Sequence, residues 1–542
     1  MVSLWGSKKP DGEDTDGGSG SHSERPTSRP PPSRDEHVDE RAPLLQQRER
    51  RQPHSDGYLD PDDPAVSPYN LWSVRLMRHF TVLFLAATFI WWVLLLVSIF
   101  VTPPGLNTRG SGFFDFSFTT LTAGNLLLTL LFFTAPSRAM RILLGVVSLL
   151  LFVDMIIIVS VHRLIAEESW PGIASAIWAF LMGAWCVVTD RVVAWGKREE
   201  EERLTGRAET RRTVSEWFKV LIATIVLAVY VAITVFMTAT LIIRATDAGL
   251  QFPGERIRVD SNKYDVHLAC VGNVTHDKSG NTLPTVLLEA GEQPAEYELV
   301  PWAESARKNG TLQRYCYWDR PGYAWSDNAP SPHSAGMSAD ALSEALAVKG
   351  ETGPWVLVSA GYGSVVSRIF SSRHTRTVTG LLLIDPLHED LLYRLATPGR
   401  GFLLWAYGII SPLGIQRVLA AIFAHRTRED RVYGEEAYQG GKFIKAQLQE
   451  NLIADSLTKS ELVTSRAIQD QNTPFVIISS HVSIRRDNEW ERKQRDMTHL
   501  TDKLVGWDVV EQAPHEVWRT YNGRQTMEKR VKQLLAVKAT EN

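Results

Sequence analysis

Five apolar runs, each near the roughly 20 residues a helix needs to cross a bilayer's hydrocarbon core, constrain this chain more than any other feature. Phe80 to Val101 opens the series, just after Arg75, Arg78 and His79, and Phe116 to Thr134, Ile142 to Val161, Ile173 to Thr189 and Val220 to Ile243 follow. Inside hydrocarbon every backbone polar group must be satisfied within its own segment, so these runs predict membrane-spanning helices. The second run is the most polar, with Thr119, Thr120, Thr122 and Asn125. Asp154 lies near the middle of the third, where an unpaired carboxylate costs several kcal/mol. Asn125 is the expected hydrogen-bond partner of Asp154, in a helix-to-helix contact rather than a transport path.

Loop charge orients the array. Arg138 and Arg141 lie between the second and third spans, and Arg191, Lys197, Arg198, Arg203, Arg207, Arg211, Arg212 and Lys219 lie between the fourth and fifth; the opposite loops carry only Arg109 and Arg163. The positive-inside rule then predicts a cytosolic N-terminus, and an odd number of spans places everything after Arg244 on the far, lumenal side. The expected division is a disordered tail over residues 1–72, a membrane region over 73–245 and a lumenal domain over 246–542. A net charge of -3 gives no basic footprint, so no nucleic-acid partner is expected.

The tail is rich in Ser, Gly, Pro and charge, and has too little apolar surface to offset its chain entropy. Within it, Glu40, Leu44 and Leu45 resemble an acidic dileucine sorting motif, which implies binding to a clathrin adaptor and, in fungi, delivery to the vacuolar membrane. The plasma membrane and the mitochondrial membrane are the alternative destinations. The sequons at Asn273 and Asn309 suit a lumenal domain. Cys270 and Cys316 could pair in an oxidising lumen or sit as small buried apolar residues. With Cys186 they match no zinc or redox spacing, and neither a metal nor a cofactor is expected.

After Arg244 short apolar runs alternate with helical stretches, the pattern of a mainly parallel sheet covered by helices. Strands are predicted at Arg256 to Val259, Asp265 to Val271, Thr285 to Glu289, Gln313 to Trp318, Trp355 to Ser359, Gly380 to Ile384, Phe475 to Ser479 and Asp508 to Gln512. Helices are predicted over 339–348, 364–373, 490–498 and 527–537. Two stretches, Thr285 to Gly291 and Tyr315 to Asp327 with its Asp319-Arg320-x-Gly322-x-x-x-Ser326 pattern, resemble the third and fourth strands of the α/β-hydrolase superfamily. Leu357 to Gly363 resembles the strand-to-helix turn that carries the nucleophile. The resemblance runs from about Gly254 to the C-terminus, with residues 387–469 as a mostly helical cap.

In active members that turn reads G-x-S-x-G, small residues being needed because it is so tight. Here it reads Ser359-Ala360-Gly361-Tyr362-Gly363, which puts Gly361, without any oxygen, at the nucleophile position. The resemblance implies that His515 is the general base, with Asp385 or Asp487 as its acid. It also implies an oxyanion hole from the backbone amides of Gly291 or Glu292 and of Tyr362. Ser359 and Ser364 are the hydroxyls that could stand in for the nucleophile. The expectation is a domain that has lost serine-hydrolase catalysis and binds a ligand or partner, an apolar or lipid-like ligand under the cap being favoured. The alternatives are an active esterase with a displaced nucleophile and a transport-related membrane protein with an accessory domain.

Overall fold

The computed structural model describes residues 68–206 and 214–540. Glu40, Leu44 and Leu45 lie outside the described residues. Five helices are long and apolar enough to cross a membrane: α1 Trp72–Phe100, α2 Phe113–Leu131, α3 Arg138–Ser160, α4 His162–Thr205 and α5 Val214–Asp247. Each overlaps one predicted run; α4 and α5 contain theirs, while α1, α2 and α3 end one to three residues before theirs do. The fourth differs most, because 173–189 is only the apolar window of a 44-residue helix. The helix carries on through Lys197 to Arg203, where polar side chains need no hydrocarbon. Near its start it breaks at Ser169 (φ 52°), two residues before Pro171, whose missing N–H suits the first turn of the longer segment.

Asp154 is fully buried and its two oxygens have no hydrogen-bond partner; the polar side chain beside it is Thr238 of α5. The predicted Asn125 partnership is therefore not formed. Asn125 is buried on α2 with its own side-chain oxygen unpartnered.

The strands are β1 Glu255–Val259, β2 Tyr264–Val271, β3 Thr285–Glu289, β4 Tyr315–Trp318, β5 Trp355–Ala360, β6 Val378–Ile384, β7 Phe475–Ser480 and β8 Leu504–Val510. They form one sheet in the order β1-β2-β4-β3-β5-β6-β7-β8, antiparallel at β1, β2 and β4 and parallel from β4 to β8. This is the strand order of an α/β-hydrolase fold. The last strand begins four residues before its predicted start. β8 is a half-exposed edge whose register on Phe475 to Ser480, rather than any apolar run, sets its limits.

Helices cover both faces: α6 Ala295–Glu298, α7 Val300–Lys308, α8 Ala335–Lys349, α9 Gly363–Arg373, α15 His481–Arg486, α16 Asn488–Met497 and α17 Tyr521–Thr540. The cap contributes α10 Pro398–Ile410, α11 Ile415–Phe423, α12 Arg428–Val432, α13 Gly441–Ile453 and α14 Lys459–Ile468. Successive strand residues alternate between two cores. Val356, Val358, Leu382 and Ile384 join Trp302 and Met527 on one face, while Leu357, Leu381 and Leu383 join Ile369 and Phe370 on the other. Burial on both faces is why these strands read as continuous apolar runs.

The domain is docked on the helices. Thr102 N donates to Ser331 O at 2.8 Å, Asn328 N to Arg109 O at 2.7 Å, and Arg163 to Trp325 O at 2.9 Å. Cys270 and Cys316 lie directly opposite across β2 and β4 and are joined by a disulfide. Asn273 and Asn309 are both exposed.

Candidate functional site

The turn between β5 and α9 forms as the family resemblance implies. Gly361 has φ +43°, a left-handed backbone that disfavours most side chains, and Gly363 lies so close to the carbonyl of Ala290 that a Cβ would overlap it. That approach presses the loop after β3 against the turn.

Facing Gly361, the structure brings three ionisable side chains into a row. His515, on the loop after β8, places Nδ1 2.7 Å from Asp385 Oδ2, and its Nε2 lies 3.2 Å from Glu292 Oε2. Asp385, at the end of β6, is completely buried and held by Ser480 N at 3.1 Å, Ser483 Oγ at 3.0 Å and Trp490 Nε1 at 3.1 Å. Asp487, the other candidate acid, lies elsewhere: it caps α16 through Glu489 N and pairs with Arg394. Spacing alone left the two equivalent; the sheet separates them, because only the end of β6 faces the loop after β8.

Glu292 is the residue whose role the sequence concealed. Its Oε1 accepts from Tyr362 N at 3.2 Å, and a Cβ built on Gly361 would fall well inside contact distance of both carboxylate oxygens. The carboxylate thus fills the space that a nucleophile side chain would need, although 47% of its side-chain surface remains exposed. An acidic residue in the loop after β3, joined to the loss of the hydroxyl at position 361, was the available signal.

The two carboxylates fix the histidine's protonation. Each only accepts hydrogen bonds, so both ring nitrogens must donate and His515 is an imidazolium. The two pairs outweigh burial and push its pKa up to about 11. Partial desolvation opposes it, but the carboxyl of Glu292 is held below its usual range by His515 and the Tyr362 amide.

The amides expected to form an oxyanion hole are engaged as well. Gly291 N donates to Glu298 Oε2 at 2.5 Å, and Glu292 N and Gln293 N donate to Glu298 Oε1 at 3.2 and 2.9 Å. Burial and the neighbouring Glu292 charge raise the Glu298 pKa to about 8. Arg320 secures the same loop from behind, donating to the carbonyls of Ala290 and Gly291 and to Glu289. Neither stand-in hydroxyl meets His515. Ser364 Oγ donates to Gly361 O at 2.6 Å and accepts from Leu387 N at 3.1 Å, while Ser359 Oγ is buried without a partner. Under the cap, a cavity walled by Tyr362, Arg320, Gln449 and Glu450 holds about 20 Å³, room for a single water.

The sequence offered no metal spacing, yet the fold brings His267, Glu296 and Asp319 together on β2, α6 and the end of β4, with ligand atoms within 4.8 Å of one another. His267 Nδ1 is 2.8 Å from Asp319 Oδ2. His388, Glu389 and Asp496 form another such group among the described residues, and there Arg466 pairs with both acids.

Comparison with known proteins bears on family and fold. A region of unknown function (DUF2417) matches residues 40–270. An uncharacterized vacuolar membrane protein of Saccharomyces cerevisiae is 29% identical over 312 residues, 49% of this chain and 48% of that one. Among solved structures, the Cif epoxide hydrolase from Acinetobacter nosocomialis is 13% identical and covers 56% of this chain and 96% of its own, with a TM-score of 0.41. A carboxylesterase from the thaumarchaeon Nitrososphaera gargenis is 12% identical and covers 53% and 100%, with a TM-score of 0.37. An uncharacterized protein of Schizosaccharomyces pombe is 32% identical over 504 residues, 88% of this chain and 92% of its own, and the chain belongs to the family of that protein.

Proposed function

We propose that this multi-pass membrane protein carries an α/β-hydrolase-fold domain that has given up serine-hydrolase catalysis and serves in binding. The observation that carries this is the Glu292 carboxylate, seated against Gly361 and bonded to both His515 and the Tyr362 amide. A serine hydrolase needs a hydroxyl at the turn, a histidine nitrogen free to take its proton, and amides free to hold the oxyanion. Here position 361 has no hydroxyl, the histidine is doubly donating, and the amides already hold carboxylates.

The domain faces the lumen and the protein resides in the vacuolar membrane. Loop charge, the exposed sequons and the name of the S. cerevisiae relative support this placement. Adaptor binding through Glu40, Leu44 and Leu45 would deliver it there. Sensitivity of the protein to endoglycosidase H, lost in Asn273→Gln, Asn309→Gln, checks the orientation.

The test of silence is fluorophosphonate labelling of the full-length protein in detergent. Wild type stays unlabelled, whereas the double variant Gly361→Ser, Glu292→Ala, which restores the hydroxyl and empties its space, acquires an adduct at position 361. An adduct on Ser359 or Ser364 of the wild-type protein would instead establish an esterase with a displaced nucleophile.

A further inference from the structure

A second cavity, of about 140 Å³, lies at the seam where the membrane helices meet the domain. It has room for on the order of ten waters. Six cations line it: Arg163, Arg244, Arg256, Arg417, Arg431 and Lys442. Only two carboxylates share the wall, Glu167 and Asp247. Glu167 is divided among three cations, Arg163 at 3.0 Å, Arg244 at 2.8 Å and Lys442 at 3.2 Å. Asp247 is divided between Arg431 at 2.6 Å and Arg417 at 3.3 Å. Behind the wall, Glu168 pairs with Arg244, and Asp327 is shared by Arg163 and Arg256. Asp265 is also within reach of Arg256, but Arg109 and Arg258 contact it too. Cations therefore exceed carboxylates around this space. Arg417 is nine-tenths buried, and its Nε has no hydrogen-bond partner. Several guanidiniums converging on a partly apolar space suit a phosphate, whose oxygens accept from their planar forks.

The remaining wall says where the phosphate comes from. Phe114, Leu164, Trp325 and Phe443 supply apolar surface, and Ser411 and Arg417 belong to the bent cap hairpin formed by α10 and α11. The two helices turn through 51° and are together apolar enough to enter a bilayer. Their elbow is fixed to α5, where Thr240 Oγ1 donates to Leu413 O at 3.0 Å. Thr240 lies seven residues before the end of α5, about 10 Å at 1.5 Å per residue. The hairpin thus sits at the depth of the leaflet on the domain's side. It exposes Leu403, Ile410, Leu419 and Ile422, with Phe402 at 63% and Phe423 at 75%, and its two helices pack on α2 and α5.

We infer that the seam cavity binds the phosphate headgroup of an anionic phospholipid drawn from that leaflet, with the acyl chains lying along α11 and α5. This site does not depend on whether the turn at Gly361 is silent.

The experiment uses full-length protein in detergent, titrated with dioleoyl phosphatidic acid and followed by thermal stability and by native mass spectrometry. Saturable binding is expected, with affinity at least tenfold lower in Arg417→Gln and unchanged labelling behaviour at Gly361. The variant Ala248→Leu narrows the cavity without removing a charge and should weaken binding too, so a folding defect in the arginine variant does not decide the matter. Equal retention of dioleoyl phosphatidylcholine, or binding that neither variant alters, would overturn the proposal. Competition by inorganic phosphate at the concentration at which the lipid binds would also overturn it, assigning the site to a soluble anion.

Discussion

The turn at Gly361 and the seam cavity are both charged recesses, but one is closed by the protein itself and the other is open. At the turn, Glu292 supplies an acceptor to His515 and the Tyr362 amide, and Glu298 supplies one to the Gly291 amide, so these donors are already satisfied. At the seam, five of the cations divide two carboxylates, and there is room for a further anion. Under the function and the seam site proposed above, the contrast teaches that a catalytic frame and a ligand site can part company, the frame kept as structure and recognition placed at the boundary with the membrane.

The largest effect should come from breaking the seam. Arg244→Ala removes the cation paired with Glu168 and leaves Glu167 to Arg163 and Lys442, and truncating one partner of a buried ion network costs about 3–5 kcal/mol. Fluorescence-detected size exclusion should show most of the folded protein lost. Next, Gly363→Ala forces a methyl group against the Ala290 carbonyl and costs about 1–3 kcal/mol, read as a lower Tm without loss of lipid binding at the seam. A smaller effect depends on pH. The His515 pKa is raised in the folded state, so its stabilisation is complete below the ordinary value of about 6.5 and disappears as pH rises through about 11. The Tm difference between wild type and His515→Gln should therefore shrink steadily across that range, and a difference constant with pH would contradict the doubly paired imidazolium. Smallest is Glu292→Gln: the pair it weakens is half-exposed, so the change should stay below about 1 kcal/mol. The same variant should still resist fluorophosphonate, because Gly361 supplies no oxygen.

The sequence made the architecture readable where burial is one-dimensional. β5 and β6 are apolar at consecutive residues because helices cover both faces, and the spans are apolar because lipid surrounds them. Edge strand β8 was misplaced because most of its residues are only partly buried and carry no such signature. The candidate site was legible only in parts. Gly361 and His515 stood out by position, but the choice of Asp385 over Asp487 needed the sheet, and Glu292 reaches the turn from a loop some seventy residues earlier. Arg163 carried meaning in the sequence only as loop charge, and Arg244 only as the limit of the last span. Arg163 and Glu167 are one helical turn apart, but that Arg244 joins them depends on the start of α4 lying beside the end of α5, which no local pattern records.

The backbone hydrogen bonds from Thr102 to Ser331 and from Asn328 to Arg109 tie the domain to the loop between the first two spans, in addition to its covalent attachment at α5. A protease cutting just after Arg244 would therefore free no ectodomain: the cleaved piece would stay seated, its apolar hairpin still in the leaflet.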